Sequence, residues 1–502
     1  MTTPTTGTAP QTNPWVALWV LCLGFFMILV DTTIVAVAQP AILTGLNTGI
    51  DNVIWVTSAY LLAYAVPLLV TGRLGDRFGP KNLYIGGLIV FTLASLWCGL
   101  SGSIEMLIAA RAVQGVGAAM ITPQTMAVIT RIFPKDKRGT AMGVWGAVAG
   151  VATLVGPLLG GVLVDSLGWE WIFFINIPVG IVAVVLAVKF VPTLPTNEHT
   201  FDILGVVLSA VGLFFLVFGI QEGQKHSWNA WIWTSIIFGI AVFAAFVYWQ
   251  ARNKNEPLVP LGLFKDRNFS ISNIAIGTMG FAMSGMMLPV MLFLQSGTGL
   301  SPTRAALTFV PMAILTGALA PVVGKQVDKV HPRYIAGTGL FLLAIALVWL
   351  TTVMTPSAPI WQLILPVGVM GVANAMIWAP LGATATRNLP LSQAGAGSGV
   401  YNTTRMFGSV LGSAGIGVLM QNRIAAELPV QASGAGAEIQ SGRVPAMIAD
   451  GFSSALAQSL YLPAAVLLLG AIACAFYARP AFGEHAGMAA EKAAPAKVVA
   501  GP

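Results

Sequence analysis

The chain has 502 residues, 56% of them hydrophobic and only 9% charged, with a mean hydropathy of +0.81 and a formal charge of +7. So few charges cannot cover a water-soluble domain of this size, which excludes a soluble enzyme and points to a membrane protein. The positive balance is scattered over many short polar stretches instead of one basic face, so nucleic acid is not a partner.

A helix that crosses a bilayer needs about 20 mostly apolar residues. In chain order such stretches fall at 15–39, 53–71, 82–101, 104–130, 141–164, 171–191, 203–222, 230–250, 270–295, 303–323, 334–353, 360–386, 399–420 and 456–477, fourteen in all. Ala36, Val37 and Ala38 mimic a signal-peptide cleavage site, but residues 1–14 hold no Lys or Arg and the first apolar run is too long, so span 1 is read as retained. Cys22, Cys98 and Cys474 all fall in spans, which gives no disulfide framework. The Thr/Pro-rich segment 1–14 and the Ala/Lys-rich segment 481–502 read as disordered tails.

The two halves echo one another. Gly72, Asp76, Arg77, Pro80 and Lys81 between spans 2 and 3 return, about 252 residues on, as Gly324, Asp328, Lys329, Pro332 and Arg333. At an offset of 256, Gly115, Ala119, Met120, Ile121 and Arg131 meet Gly371, Ala375, Met376, Ile377 and Arg387, and Gly156 and Gly161 meet Gly412 and Gly417. A hydrophobic chain with parallel halves predicts an all-α integral membrane protein of fourteen helices, with two six-helix bundles in pseudo-twofold relation and two inserted central helices. The expected units are the tail 1–14, an N-terminal bundle 15–191, inserted helices 7 and 8 with linkers at 192–268, a C-terminal bundle 269–480 with a long outer loop at 421–455, and the tail 481–502. With loop 2–3 taken as cytoplasmic, 19 Lys and Arg fall on that side, four fall outside and two, Arg111 and Arg405, fall within spans. That bias predicts cytoplasmic termini.

Several stretches resemble one family. Gly72 to Lys81 is similar to the loop 2–3 signature of the major facilitator superfamily. Leu29 to Pro40, with Asp31 near its start, resembles the span 1 signature of the fourteen-span drug:proton antiporters, although Ala36 and Gln39 depart from it. Arg111 to Gly117, Gly146 through Gly156 and Pro157 to Gly161, and Trp169 to Pro178 resemble the signatures of span 4, span 5 and the start of span 6. The resemblance runs from about residue 15 to 480. It implies a bacterial, multi-pass cell-membrane protein of the multidrug efflux and antibiotic resistance type. Transport would follow from rocking of two bundles within one protomer. It also implies proton exchange at Asp31 and Arg111, and a hinge or leak-preventing seal at the span 5 glycines.

Ionisable groups inside spans are costly and usually functional. Asp31 is the sole carboxylate well inside a span, about 12 Å below the outer end, and Arg111 lies about 10 Å below the same surface. A proton site needs a carboxylate poised between burial, which favours the neutral acid, and a nearby base, which favours the ionised form. The alternative is a permanent ion pair that fixes helices 1 and 4. Both groups are expected to be wetted from an outward-facing cavity. Arg405, about six residues from the cytoplasmic end of its span, either snorkels or contacts substrate, lipid phosphate or backbone carbonyls.

Gly72, Asp76, Arg77, Asp328 and Lys329 are expected in cytoplasmic turns, where an acid near the start of a helix can meet its positive end and gate the bundles. The alternative is a plain topology marker. Gly146, Gly150, Gly156 and Gly160 give span 5 a small-residue face that Pro157 bends. Met283 and Met287, in a methionine stripe on span 9, are candidate cavity residues, with core or lipid packing as the alternative. Gln39, Tyr60, Tyr64, Gln114, Asn374, Trp378, Asn402 and Arg405 are the other cavity candidates. His199, His226, His331 and His485 show no metal-ligand spacing, and there is no phosphate-binding loop. The expectation is a secondary transporter with no cofactor and no metal, driven by a proton gradient. It would act as a monomer among membrane lipids on amphipathic, hydrophobic or cationic small molecules. The rivals are a dedicated exporter of one metabolite, lipid or peptide, and a non-transporting receptor or scaffold.

Overall fold

With no water in a bilayer core to satisfy backbone groups, apolar runs of this length must close their hydrogen bonds internally, as helices. The computed structural model describes residues 13–133, 135–194, 196, 202–223, 226–253, 257–327, 330–389, 394–427, 444 and 446–478. Among them there is no strand. The helices are α1 (Pro14–Gly45), α2 (Ile50–Phe78), α3 (Pro80–Gly99), α4 (Ile104–Ile132), α5 (Lys135–Ser166), α6 (Trp171–Phe190, interrupted at Ile175) and α7 (Ile203–Glu222). They continue as α8 (Ala230–Arg252), α9 (Arg267–Leu292), α10 (Pro302–Gly324), α11 (Pro332–Val353), α12 (Ile360–Arg387), α13 (Ala394–Glu427) and α14 (Ala446–Ala475, interrupted at Leu460). Eleven of these are long and apolar enough to cross a membrane; α2, α5 and α13 are long but more polar.

Short polar side chains cap the starts: Asn13 for α1, Ser103 for α4, Asp202 for α7, Asn229 for α8 and Asp266 for α9 each accept a hydrogen bond from the first helical turn. Between α2 and α3 the chain reverses at Gly79, whose φ of +87° is left-handed, with Pro80 as the first residue of α3. We term the end of the molecule that carries Gly79 the basic end, and the opposite one the far end.

Packing repeats between the halves. α1 packs on α5 and α6, α3 on α4 and α6, and α2 on α4. In the same order α9 packs on α13 and α14, α11 on α12 and α14, and α10 on α12. The repeated glycines occupy equivalent places. A Cβ on Gly156 would meet Thr33 Oγ1 of α1 at 1.9 Å, and one on Gly412 would meet the Phe281 carbonyl of α9 at 2.2 Å. Only a glycine permits either approach. Gly161 and Gly417 instead face the opposite bundle, where a Cβ would meet Thr303 Cα of α10 and Ile54 Cδ1 of α2, each at 2.6 Å. The bundles therefore join through two related pairs, α5 with α10 and α2 with α13. α7 and α8 pack on each other, and α7 lies against both α2 and α13.

Three expectations about element ends need correction. α13 continues to Glu427 and the next helix starts at Ala446, so the expected outer loop 421–455 is helical at both ends; 428–443 and 445 lie outside the described residues. Asp76 and Arg77 belong to the last turn of α2, not to a turn that precedes a helix. The break falls at Gly79 because a left-handed residue followed by Pro stops a helix more decisively than two charges do. The last helix starts some ten residues before the expected span at 456, because Ala446–Ser459 is amphipathic and escapes a search for continuous apolar runs.

Candidate functional site: a buried acid-base network

The two charges read from the sequence meet. Asp31 on α1 and Arg111 on α4 are 0% and 1% exposed, and Arg111 Nη1 donates to Asp31 Oδ2 at 2.6 Å. Asp31 Oδ1 accepts from Gln114 Nε2 at 2.8 Å and from Asn176 Nδ2 at 3.0 Å. Both amides also donate to Ser95 Oγ, at 2.7 and 3.3 Å. Five helices thus supply one site: α1 the acid, α4 the base and Gln114, α3 Ser95, α6 Asn176, and α2 the carbonyl of Val56, which accepts from Arg111 Nε at 3.3 Å. The break at Ile175 places Asn176 at the first position of the second segment of α6.

Each described hydrogen-bond partner of Asp31 is a donor, the complement of a carboxylate's lone pairs. Arg111 holds alternatives. It donates to Gln114 Oε1 at 2.6 Å and lies over the Tyr60 ring with 4.0 Å to the centroid. Besides the carboxylate, the guanidinium thus has a carbonyl, an amide oxygen and an aromatic face as partners. The expected wetting from an outward-facing cavity is not found: Asp31, Gln114, Ser95 and Tyr60 are all 0% exposed. Sequence reasoning missed Ser95 and Asn176. The signal for Asn176 lay in the span 6 stretch Trp169 to Pro178, read there for family and not for chemistry.

The sequence profile of the Major Facilitator Superfamily matches residues 21–413. The chain belongs to that superfamily. It is a membrane transporter and not an enzyme. It is 55% identical over 468 residues to the uncharacterized MFS-type transporter Rv1250 of Mycobacterium tuberculosis, a match that covers 92% of this chain and 81% of that one. It is 32% identical over 426 residues to the tetracenomycin C resistance and export protein of Streptomyces glaucescens, covering 83% and 78%. It is 33% identical over 409 residues to the multidrug resistance protein Stp of M. tuberculosis, covering 81% and 76%. Among solved structures, a bacterial homolog of the human lysosomal transporter Spinster superposes with a TM-score of 0.63 at 17% identity, over 93% of this chain and 97% of that one. A D-xylose–proton symporter superposes with the same score of 0.63 at 14% identity, over 93% and 98%. At those identities the likeness shows the fold alone.

The structure brings only some of the other candidate residues of this superfamily member together. Gln114 and Tyr60 belong to the buried network instead of a cavity wall, because the polar groups of five helices close over them. Gln39, 5% exposed, donates to Thr57 Oγ1 at 3.0 Å. Met283 and Met287 are partly buried against the C-terminal core, which itself contains Met279, Met286 and Met291. The stripe thus mostly packs, since its spacing turns it into the bundle. Tyr64, Trp378 and Arg405 do come together: the Arg405 guanidinium lies over the Trp378 ring, 5.6 Å from the centroid, and within electrostatic reach of Tyr64. Arg405 does not snorkel to the basic end, since Tyr64 stands midway along α2. Asn374 is one turn from Trp378, and Asn402 is partly buried on α13.

Of the gating candidates, Gly72 and Arg77 lie in the last two turns of α2, and Arg77 is exposed over the Phe78 ring. The side chain of Asp76, Asp328 and Lys329 lie outside the described residues. Gly156 and Gly160 of α5 pack on Thr33 and Ile34 of α1, and Pro157 is buried between them. Gly146 and Gly150 lie on α5 outside the described side-chain contacts.

The described hydrogen bonds between bundles fall at or toward the far end. Ser58 pairs with Ser413 at 2.9 Å, Gln295 donates to the Val37 carbonyl at 2.9 Å, and the Thr303 amide donates to Asp165 at 3.0 Å. Gln421 also donates to Asp51. The π-helical turn Phe293–Gly297, which continues α9, brings Gln295 across to α1.

Proposed function

We propose that this transporter is a fourteen-span drug:proton antiporter that exports amphipathic, hydrophobic organic compounds, with Asp31 as the proton-coupling carboxylate. The observation that carries the reading is the sealed network of Asp31, Arg111, Gln114, Asn176 and Ser95. Its acid is the sole carboxylate deep within the membrane-spanning helices and lies in the bundle that has no acidic counterpart in its repeat, where Met283 stands instead. Relatives named for multidrug resistance and for export of an antibiotic support the outward direction. The positive-inside bias supports a cytoplasmic basic end, so the far-end contacts describe a protomer closed to the outside. In this reading a proton from outside reaches Asp31 when those contacts part, loosens its hold on Arg111, and leaves to the cytoplasm after the bundles rock. One protomer is complete for this cycle and needs no cofactor. A dedicated exporter of one compound remains a second reading, favoured by the relative named for tetracenomycin C alone.

The test is export by the purified protein in proteoliposomes under an imposed proton gradient, with a panel of fluorescent amphiphiles and native lipids. Transport of several dyes that stops with a protonophore is the expected result. Transport of one compound only selects the second reading, and transport that persists without the gradient but requires ATP ends both.

A further inference from the structure

Arg405 is the second base within the membrane-spanning helices. Among the described residues no carboxylate forms an ion pair with it, and its Nε is buried without a hydrogen-bond partner. An unanswered guanidinium at mid-span is expensive and marks a site where something else supplies the counter-charge. Its surroundings join both bundles: Tyr64 from α2, Trp378 from α12, and Tyr401 one turn before it on α13. The Tyr401 hydroxyl and Asn374 Oδ1, both in buried residues, also lack partners. The arginine itself is partly exposed, so it is open to a ligand where the Asp31 network is not.

We propose that this cluster binds the head group of the exported compound and that the head is a monoanion: a carboxylate, sulfonate, phenolate or phosphate on an apolar body. Resting on the exporter reading, this narrows its substrate class. The planar guanidinium presents paired donors that fit an oxyanion. Trp378, 45% exposed, supplies flat, amphipathic surface for the body, while the buried Tyr64 and Tyr401 back the guanidinium. The free Asn374 carbonyl and Tyr401 hydroxyl accept or donate to polar substituents. A cationic amphiphile would meet a like charge there. Outward movement of an anion is also assisted by an inside-negative potential.

The test is equilibrium binding to the full-length protein in phosphatidylcholine nanodiscs, with empty nanodiscs subtracted. The probes are 1-pyrenebutyrate, its methyl ester, and a pyrenebutyl trimethylammonium of equal length. The carboxylate is expected to bind about tenfold more tightly than the other two, the worth of one charge-assisted pair. Arg405→Gln should bring that preference to within about twofold without changing the affinity for the ester, and Arg405→Lys should restore most of it. Displacement of the carboxylate by added phosphatidylglycerol assigns the anion to lipid, and no displacement assigns it to a free organic acid. An ammonium probe that binds as tightly as the carboxylate overturns the proposal, as does a carboxylate preference that survives Arg405→Gln. Binding needs no gradient, so loss of gradient-driven export would count against the exporter reading alone.

Discussion

A buried ion pair gains its strength from completeness. Two charges removed from water are stabilised at Asp31 and Arg111 only because the remaining lone pairs and protons are met by Gln114, Asn176 and the Val56 carbonyl, with Ser95 accepting from both amides. Removing one partner should therefore be worse than removing both. Arg111→Ala is expected to cost about 3–5 kcal/mol, and the double variant Asp31→Asn with Arg111→Gln to recover most of it, as read from thermal unfolding in detergent. Equal losses in the single and double variants would mean that the pair does not act as a unit. Asn176→Ala should cost about 1–3 kcal/mol by leaving the carboxylate a donor short. The sequence made Asp31 and Arg111 legible because charges in apolar runs are few and their depths can be counted. Ser95 and Asn176 were not legible in the same way: neutral polar residues are common in spans, and which of them face one acid depends on how five helices meet.

Helix order, length and the glycine echo could all be read along the chain, since each is a local pattern at a fixed period. Which echo packs within a bundle and which packs between bundles could not, because both use the same residue. The structure separates them, and the separation can be measured. Gly156→Val should destabilise the fold by about 1–3 kcal/mol through overpacking of α5 on α1. Gly161→Val should leave the bundles folded but prise α5 from the Thr303 backbone, opening the far end. A cysteine in place of Ser58 should then react faster with a maleimide, against the quiet background of buried Cys22, Cys98 and Cys474. Unchanged labelling would show that the far-end contact yields without parting.

The pair α7 and α8 has its own anchor. Burial pushes the Asp202 carboxyl up, but hydrogen bonds from Trp249 Nε1, Gln250 Nε2 and the Gly205 amide outweigh it and hold the group below the usual aspartate range. A lowered folded value means that its contribution is complete above the unfolded value of about 4 and is lost as the pH falls through the folded one. Acidification below pH 4 should therefore loosen α7 from α8, and Asp202→Asn should flatten that pH dependence in Trp249 fluorescence. A profile identical to wild type would place the anchor elsewhere.

At the scale of the whole molecule, two repeated bundles meet through α2 with α13 and α5 with α10, while the acid lies in one bundle and Arg405, without an acid among the described residues, in the other. In the proposed reading, this division gives proton coupling to the first half and head-group recognition to the second. It was partly visible in the sequence, which showed Met283 where a second Asp31 would fall, but the approach of Arg405 on α13 to Tyr64 on α2 needed the packed structure. The most direct test compares wild type with Asp31→Asn in proteoliposomes, measuring uphill export under a proton gradient and downhill substrate exchange without one. Loss of uphill export with exchange retained is the predicted result. Uphill export by Asp31→Asn at the wild-type rate would contradict it and leave the Asp31–Arg111 network a structural clamp.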